Sequence, residues 1–289
     1  MTPSDLTLLM TTGGDARIRL DPATGLNRYH SAPWPSAVLA YASSTANDIS
    51  SAAFEHVAAL QIGAHLDPAA YSEALEGLRA RIRRAYSVAD EVDIVFAPSG
   101  TDLEYVALAC AAGRGSAGTH NILLGADEVG SGCIHSAFGR YFAESTALGV
   151  ATTVGAPVPE LGQAEVEMID VPVRDERGRA RPSARIAARI DEAIGAARAE
   201  GKHVLVHVVH GSKTGLILPS LADVDALAAA HGDGITFVVD ACQARITSPA
   251  IADYLAREAI VFVTGSKFMG GPPFSGFALV PARFRRESA

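Results

Sequence analysis

From about residue 90 the chain alternates short apolar runs, rich in β-branched residues, with longer alanine-rich stretches whose apolar positions recur every three or four residues. The short runs are Asp93-Ile-Val-Phe-Ala97, Asn121-Ile-Leu-Leu124, Val166-Glu-Met-Ile169, His203 to Val209, Ile235-Thr-Phe-Val-Val239, Ile260-Val-Phe-Val263 and Gly276-Phe-Ala-Leu-Val280. Several are apolar at consecutive positions, the mark of strands covered on both faces. Leu103 to Ala112, Ala184 to Arg198 and Leu221 to Ala230 have helical spacing, the last two opened by Pro182-Ser183 and Pro219-Ser220. The alternation predicts an α/β fold, a mainly parallel sheet sandwiched by helices. The first 65 residues lack both periods and carry Pro33-Trp-Pro35 and the polar run Ala42 to Asp48. They read as an N-terminal arm (1–65) wrapping a large domain (66–289).

Composition narrows the function classes. The 289 residues are 48% hydrophobic, much of it alanine, and no apolar run approaches the ~20 residues of a membrane span. The start, Met1-Thr-Pro-Ser-Asp-Leu6, lacks a secretory signal pattern, so a soluble cytoplasmic protein is expected. Net charge is −8 and basic residues cluster only at Arg79-Ala-Arg-Ile-Arg-Arg84, which argues against nucleic acid as a partner. Cys110, Cys133 and Cys242 share no CxxC spacing, which predicts reduced thiols and no cysteine zinc site.

Three segments carry candidate chemistry. Phe237-Val-Val-Asp240-Ala-Cys-Gln243 ends a strand in an acid, which wants a cationic partner if buried; a protonated pyridine nitrogen is one, and a helix-capping role is the plain alternative. Val263-Thr264-Gly-Ser266-Lys267 places a lysine in a glycine-rich loop beyond the next strand, where it can act as a nucleophile toward an aldehyde; a solvated surface lysine is the alternative. The 27 residues between Asp240 and Lys267 suit one helix and one strand, bringing both to one sheet edge. Upstream, Ser99-Gly100-Thr101 joins a strand to a helix and forms a candidate anion cup, or an ordinary helix cap.

Together these segments resemble the fold-type I pyridoxal-phosphate (PLP) enzymes, in particular the class V aminotransferase and cysteine desulfurase superfamily. The resemblance implies Lys267 as the Schiff-base lysine, Asp240 as the partner of the pyridine nitrogen, and Gln243 on the phenolic oxygen. It implies phosphate contacts from Ser99, Gly100, Thr101, Thr264 and Ser266, with Ser212 touching cofactor or substrate. Family members commonly stack a ring on the cofactor from the loop after the second strand. Here Gly125-Ala-Asp-Glu128-Val129-Gly-Ser-Gly-Cys133 offers no ring at the matching position, so Glu128 or Val129 is expected there. Asn27, Tyr29 and His30 of the arm are candidate substrate contacts.

The implied function is a PLP-dependent enzyme that deprotonates the α-carbon of an amino acid or related amine. An aminotransferase-like transferase is favoured, with a C–S, Cβ or Cγ lyase or replacement enzyme as alternative. The resemblance also implies a homodimer and a smaller C-terminal domain, for which the sequence to Ala289 leaves no room. A non-catalytic relative retaining the fold is the reading from another class. Gly113-Arg-Gly115-Ser-Ala-Gly118 has dinucleotide-motif spacing but follows a predicted helix, the reverse of that motif's context. Ser212-Lys213-Thr214 lacks the glycine of a phosphate-binding P-loop. His203, His207 and His210 do not share one strand face and read as packed histidines rather than metal ligands.

Overall fold

A computed structural model describes residues 3–12, 15–38, 47–60, 67–159, 161, 166–273 and 275–285. In chain order the described elements are α1 (Pro3–Thr11), α2 (Ser51–Ala59), α3 (Pro68–Tyr86), β1 (Asp93–Ala97), α4 (Gly100–Ala111), β2 (Thr119–Leu124), α5 (Cys133–Ser136), β3 (Val166–Val171), α6 (Ser183–Ala199), β4 (His203–His210), β5 (Ile217–Leu218), α7 (Leu221–His231), β6 (Ile235–Ala241), α8 (Ser248–Ala256), β7 (Ile260–Thr264) and β8 (Gly276–Val280). The strands make one sheet in the order β1-β8-β7-β6-β4-β2-β3, with β5 paired to β4. Strands β7, β6, β4, β2 and β3 run parallel, β8 runs against both its neighbours, and β5 runs against β4. The mainly parallel α/β sandwich expected from the alternation is the observed fold.

The continuous apolar strands follow from burial on both faces. In β6 and β7, Phe237, Val239, Val261 and Val263 point into one core with Ile186, Ile190 and Ile194 of α6, Val224 of α7 and Ile251 of α8. The alternate residues Val238, Ile260 and Phe262 point the other way, onto Leu103, Ala107, Leu108 and Ala111 of α4. Each isoleucine of α6, spaced four residues apart, contributes about 1.5–3 kcal/mol through burial. Helix α4 therefore covers the middle of its sheet face, with its N-terminus at the sheet's carboxyl edge.

The boundary drawn at residue 65, and most of the polar run from Ala42, lie outside the described residues. Within the described part of the arm, Leu6 and Met10 of α1 meet Ile49 in a small separate core against Ala53, Phe54 and Val57 of α2. Two hydrogen bonds tie this unit to the loop after β7. Ser50 N–H donates to the Gly270 carbonyl at 2.8 Å, and Asn47 Nδ2 donates to the Lys267 carbonyl at 2.8 Å.

Candidate active site

Four neighbouring strand ends build the site. Asp240 lies opposite Phe262 in the β6–β7 register, Thr264 opposite Gly276 in β7–β8, and Gly276 opposite Ala97 in β8–β1. Adjacent strands lie about 4.8 Å apart, so Asp240, the Lys267 loop and the turn after β1 must share one edge. Gly276 permits a close approach, because a Cβ there would sit 2.8 Å from the Ala97 carbonyl oxygen and 3.1 Å from the carbonyl carbon of Ser99. Gly100 meets the same demand one layer deeper: its added Cβ would lie 2.6 Å from Cys242 Sγ.

These residues open on a cleft of about 440 Å³ lined by Ser99, Gly100, Thr101, Asp240, Cys242, Thr264, Ser266 and Lys267. At its floor Ser99 caps α4, its hydroxyl donating to Asp102 Oδ2 at 2.5 Å and accepting from Asp102 N–H. Asp240 is held by the Cys242 N–H, which donates to Oδ1 at 2.9 Å. Thr264 gives its one hydroxyl proton to the Cys242 carbonyl at 2.5 Å, so it fixes the strand end and has no proton left for a ligand. Burial pushes the thiols of Cys133 and Cys242 up, leaving them poor nucleophiles beside the cleft.

Among the charges in the cleft is Arg17 from the arm, which no strand or helix pattern had flagged. Its Nε and Nη2 bind both oxygens of Asp15 at 2.6 to 3.0 Å, Nη2 also donates to Ser99 Oγ at 3.1 Å, and Nη1 lies 3.4 Å from Thr101 Oγ1. One guanidinium face rests 4.7 Å from the Phe142 ring centroid. Burial works against ionisation of Asp15, but the hydrogen bonds and charge of Arg17 outweigh it and hold that carboxyl below the usual range. At Asp102 burial, with the Asp15 charge adding to it, outweighs the Ser99 hydrogen bonds and the Arg17 charge, and the pKa is raised.

The expected site residues divide into two groups. Ser99, Gly100, Thr101, Asp240, Ser266 and Lys267 stand together in the cleft, and Tyr29 joins them from the arm. Glu128 does not line it. Its carboxylate takes Arg174 Nε at 2.8 Å, Ser212 Oγ at 2.7 Å, and the backbone and hydroxyl of Thr214, which clamps the loop after β2 to the β4–β5 connection. Burial raises its pKa, but these donors outweigh that and hold it low. Ser212 is used up in the same clamp, and Val129 is packed in the main core. Gln243 is buried outside the cleft lining, and its Oε1 meets no hydrogen-bond partner among the described residues. Asn27 spends its side-chain oxygen on the N–H groups of Tyr29 and Ser31, and His30 is exposed with a left-handed φ of 60°.

Rings do reach the cleft from beyond β2. His135 of α5 and Phe142 line it, together with Cys133. His135 stands two residues past Cys133, within one helical turn of the segment that carries no ring. Of the three β4 histidines, His203 pairs with Thr236 Oγ1 at 2.9 Å and His210 with Tyr254 OH at 3.1 Å. His207 Nε2 lies 3.4 Å from Glu104 Oε2 without hydrogen-bond geometry, each side chain only 1% exposed. Burial drives both toward their uncharged forms, Glu104 up, with the Asp240 charge adding to it, and His207 down to about 4.

Among solved structures, the apo structure of a cysteine desulfurase from Thermococcus onnurineus NA1 aligns with a TM-score of 0.52 at 16% identity, over 84% of this chain and 53% of that one. The fold is that of the fold-type I PLP enzymes. The glutamate decarboxylase domain of a diaminobutyrate-pyruvate transaminase and L-2,4-diaminobutyrate decarboxylase from Vibrio parahaemolyticus aligns with a TM-score of 0.50 at 15% identity, over 79% and 48% of the two chains. The chain thus spans about half the length of these structures. No family profile and no curated protein matches the sequence.

Proposed function

We propose that the cleft binds pyridoxal 5′-phosphate, that Lys267 carries it as a Schiff base, and that the protein acts on an amino acid or related amine. The observation that carries this reading is the convergence of Asp240, Lys267 and the N-terminus of α4 on one cleft. The residues fit the group. An anion finds the Ser99–Thr101 turn and the α4 dipole, a pyridinium finds the Asp240 carboxylate, and Gln243, its Oε1 without a partner among the described residues, stands next to Cys242 in the chain. When bound, PLP supplies an electron sink for a carbanion beside an amino group.

The chain's own residues supply the rest. Asp240 keeps the proton on the ring nitrogen. Backbone N–H groups at Gly100 and Thr101, with the hydroxyls of Thr101 and Ser266, hold the phosphate, while the Ser99 hydroxyl, its proton given to Asp102, caps the helix that carries them. His135 and Phe142 stand where a ring can cover the cofactor. The Lys267 amine moves the proton at the substrate α-carbon. The departure from the expected contacts is that Glu128, Val129 and Ser212 brace the loops behind the cleft.

Of the possible outcomes we favour a class V aminotransferase-like transfer, with the arm and large domain acting in a homodimer, as the resemblance implies. Added PLP should give an absorbance near the visible edge that borohydride fixes and that Lys267→Ala lacks. A wild-type protein that takes up no PLP, or a variant with an equal borohydride-fixed adduct, overturns the assignment. Product analysis with a labelled amino acid then reads the reaction. A keto acid with aminated cofactor supports transfer, and pyruvate or an enamine product replaces it with lyase chemistry.

A further inference from the structure

Beside the Lys267 cleft lies a second pocket, between the arm and the loop after β7. Asp15, Arg17, Tyr29, Ser99 and Ser266 line both, so the two spaces are continuous. The second pocket differs in chemistry. Its wall is built from Met10, Ile18, Leu20, Ala32, Ile49 and Pro273. Met10 and Ile49 belong to the small core of the arm, which therefore has a face turned to this pocket. Thr11, Asn27 and Asn47 also line it, with Thr11 Oγ1 donating to the Thr7 carbonyl, Asn27 Oδ1 accepting from the N–H groups of Tyr29 and Ser31, and Asn47 Nδ2 donating to the Lys267 carbonyl. The charged groups, Asp15 and Arg17, stand at the junction.

Arg17 is disposed to receive an anion there. Its Nε and Nη2 edge is committed to Asp15, Nη2 also donates to Ser99 Oγ and lies 3.8 Å from Asp102 Oδ2, one face is covered by Phe142, and Nη1, with two N–H groups, makes only the long 3.4 Å contact to Thr101 Oγ1. A guanidinium offers five donors, so a carboxylate can join at Nη1 without expelling Asp15. A ligand that places its carboxylate at this junction and its amine toward Lys267 has one apolar direction left, into the second pocket.

We infer that the pocket between arm and Lys267 loop receives the apolar side chain of the substrate, with Arg17 at its mouth taking the carboxylate. The substrate class is an amino acid with a sizeable apolar side chain, alkyl or aromatic, and not an acidic or hydroxylated one. The inference rests on the proposed function for the word substrate, but the preference of the pocket does not depend on PLP. It is read by titrating cofactor-free protein calorimetrically with hexanoate and 3-phenylpropanoate against acetate and succinate.

Hexanoate should bind roughly tenfold or more tighter than acetate or succinate, since each methylene placed in an apolar pocket adds discrimination. Ala147→Trp, which fills the pocket from its loop side, should remove most of that advantage. Leu20→Asn, which makes the wall polar, should reduce it with less demand on folding. Arg17→Gln should weaken all the carboxylates together. Hexanoate bound no tighter than acetate, including no detectable binding of either, overturns the inference, as does a hexanoate preference unchanged in a folded Ala147→Trp or Leu20→Asn protein. A protein that prefers hexanoate but takes up no PLP overturns the proposed function alone. One that takes up PLP without preferring hexanoate overturns the pocket assignment alone.

Discussion

Behind Asp240, Glu104 and His207 meet in the interior with neither side chain hydrogen-bonded to the other. Moving a charge into such surroundings costs several kcal/mol, more than an imperfect contact returns, so the fold holds both neutral. The consequence for stability has a definite sign. Glu104 is raised in the folded chain, so its contribution is complete below pH 4.5, the ordinary value, and is lost as pH rises toward the folded pKa. Glu104→Gln keeps the shape and abolishes this loss. Measured by urea unfolding, the variant should gain on the wild type by about 1.4 kcal/mol per pH unit above 4.5 until the folded pKa is reached. His203 and His210, lowered by burial and paired elsewhere, contribute the opposite slope below pH 6.5 in both proteins and so cancel from the difference; His207 touches Glu104 and does not cancel, so the slope is compared above pH 6.5. A gap independent of pH would mean that Glu104 is ionised in the fold.

At the scale of elements, the position of α4 depends on a missing side chain. The helix lies on β7 and β8 with its first residue, Gly100, pressed on Cys242 and Thr264, where a Cβ would approach Sγ to 2.6 Å and Thr264 Cγ2 to 3.3 Å. Gly100→Ala must push the helix start off the sheet, costing about 1–3 kcal/mol and misplacing the Ser99 and Thr101 hydroxyls. Cys242→Ala removes the closest atom. The double variant should therefore recover much of the single variant's loss in thermal stability and PLP affinity, and strict additivity would show that the glycine matters for another reason. The sequence made this glycine visible only as part of a small-residue turn. Strands and helices were legible because two-sided burial writes itself as unbroken apolar runs, and one-sided burial as Ile186, Ile190 and Ile194. The clamp around Glu128 was not, because Glu128, Arg174 and the Ser212–Thr214 pair come from three segments whose meeting is fixed only by the strand order. A carboxylate that looks free in sequence is consumed once β2 and β4 are neighbours.

For the molecule as a whole, the sheet and the arm are stabilised very differently. Strands β4, β6 and β7 are buried along nearly their full length, whereas α1 and α2 pack around a small cluster of Leu6, Met10 and Ile49 to which α2 adds only partly buried residues, and the segment before α2 is tied to the β7–β8 connection by Ser50 to Gly270 and Asn47 to Lys267. This explains why the arm was legible only as an aperiodic segment. Its place is set by contacts with the Lys267 loop and by Arg17, neither of which leaves a period in the chain. It also sets an order of opening: with so little apolar area to expose, the arm should undock at a free energy well below that of global unfolding. Hydrogen exchange should find amides of residues 3–11 and 51–59 exchanging through local opening, and those of β4 and β6 only through global unfolding. A ligand that binds the closed form alone stabilises it by mass action, by about 2.7 kcal/mol at a hundredfold excess over its dissociation constant. PLP alone should then slow exchange at residues 99–101 and 264–267, and PLP with an apolar amino acid should extend that protection to α1 and α2, because the second ligand touches both the arm and the sheet. Protection of the strand ends without any change in the arm would place the substrate wholly on the large domain and leave Arg17 a structural residue.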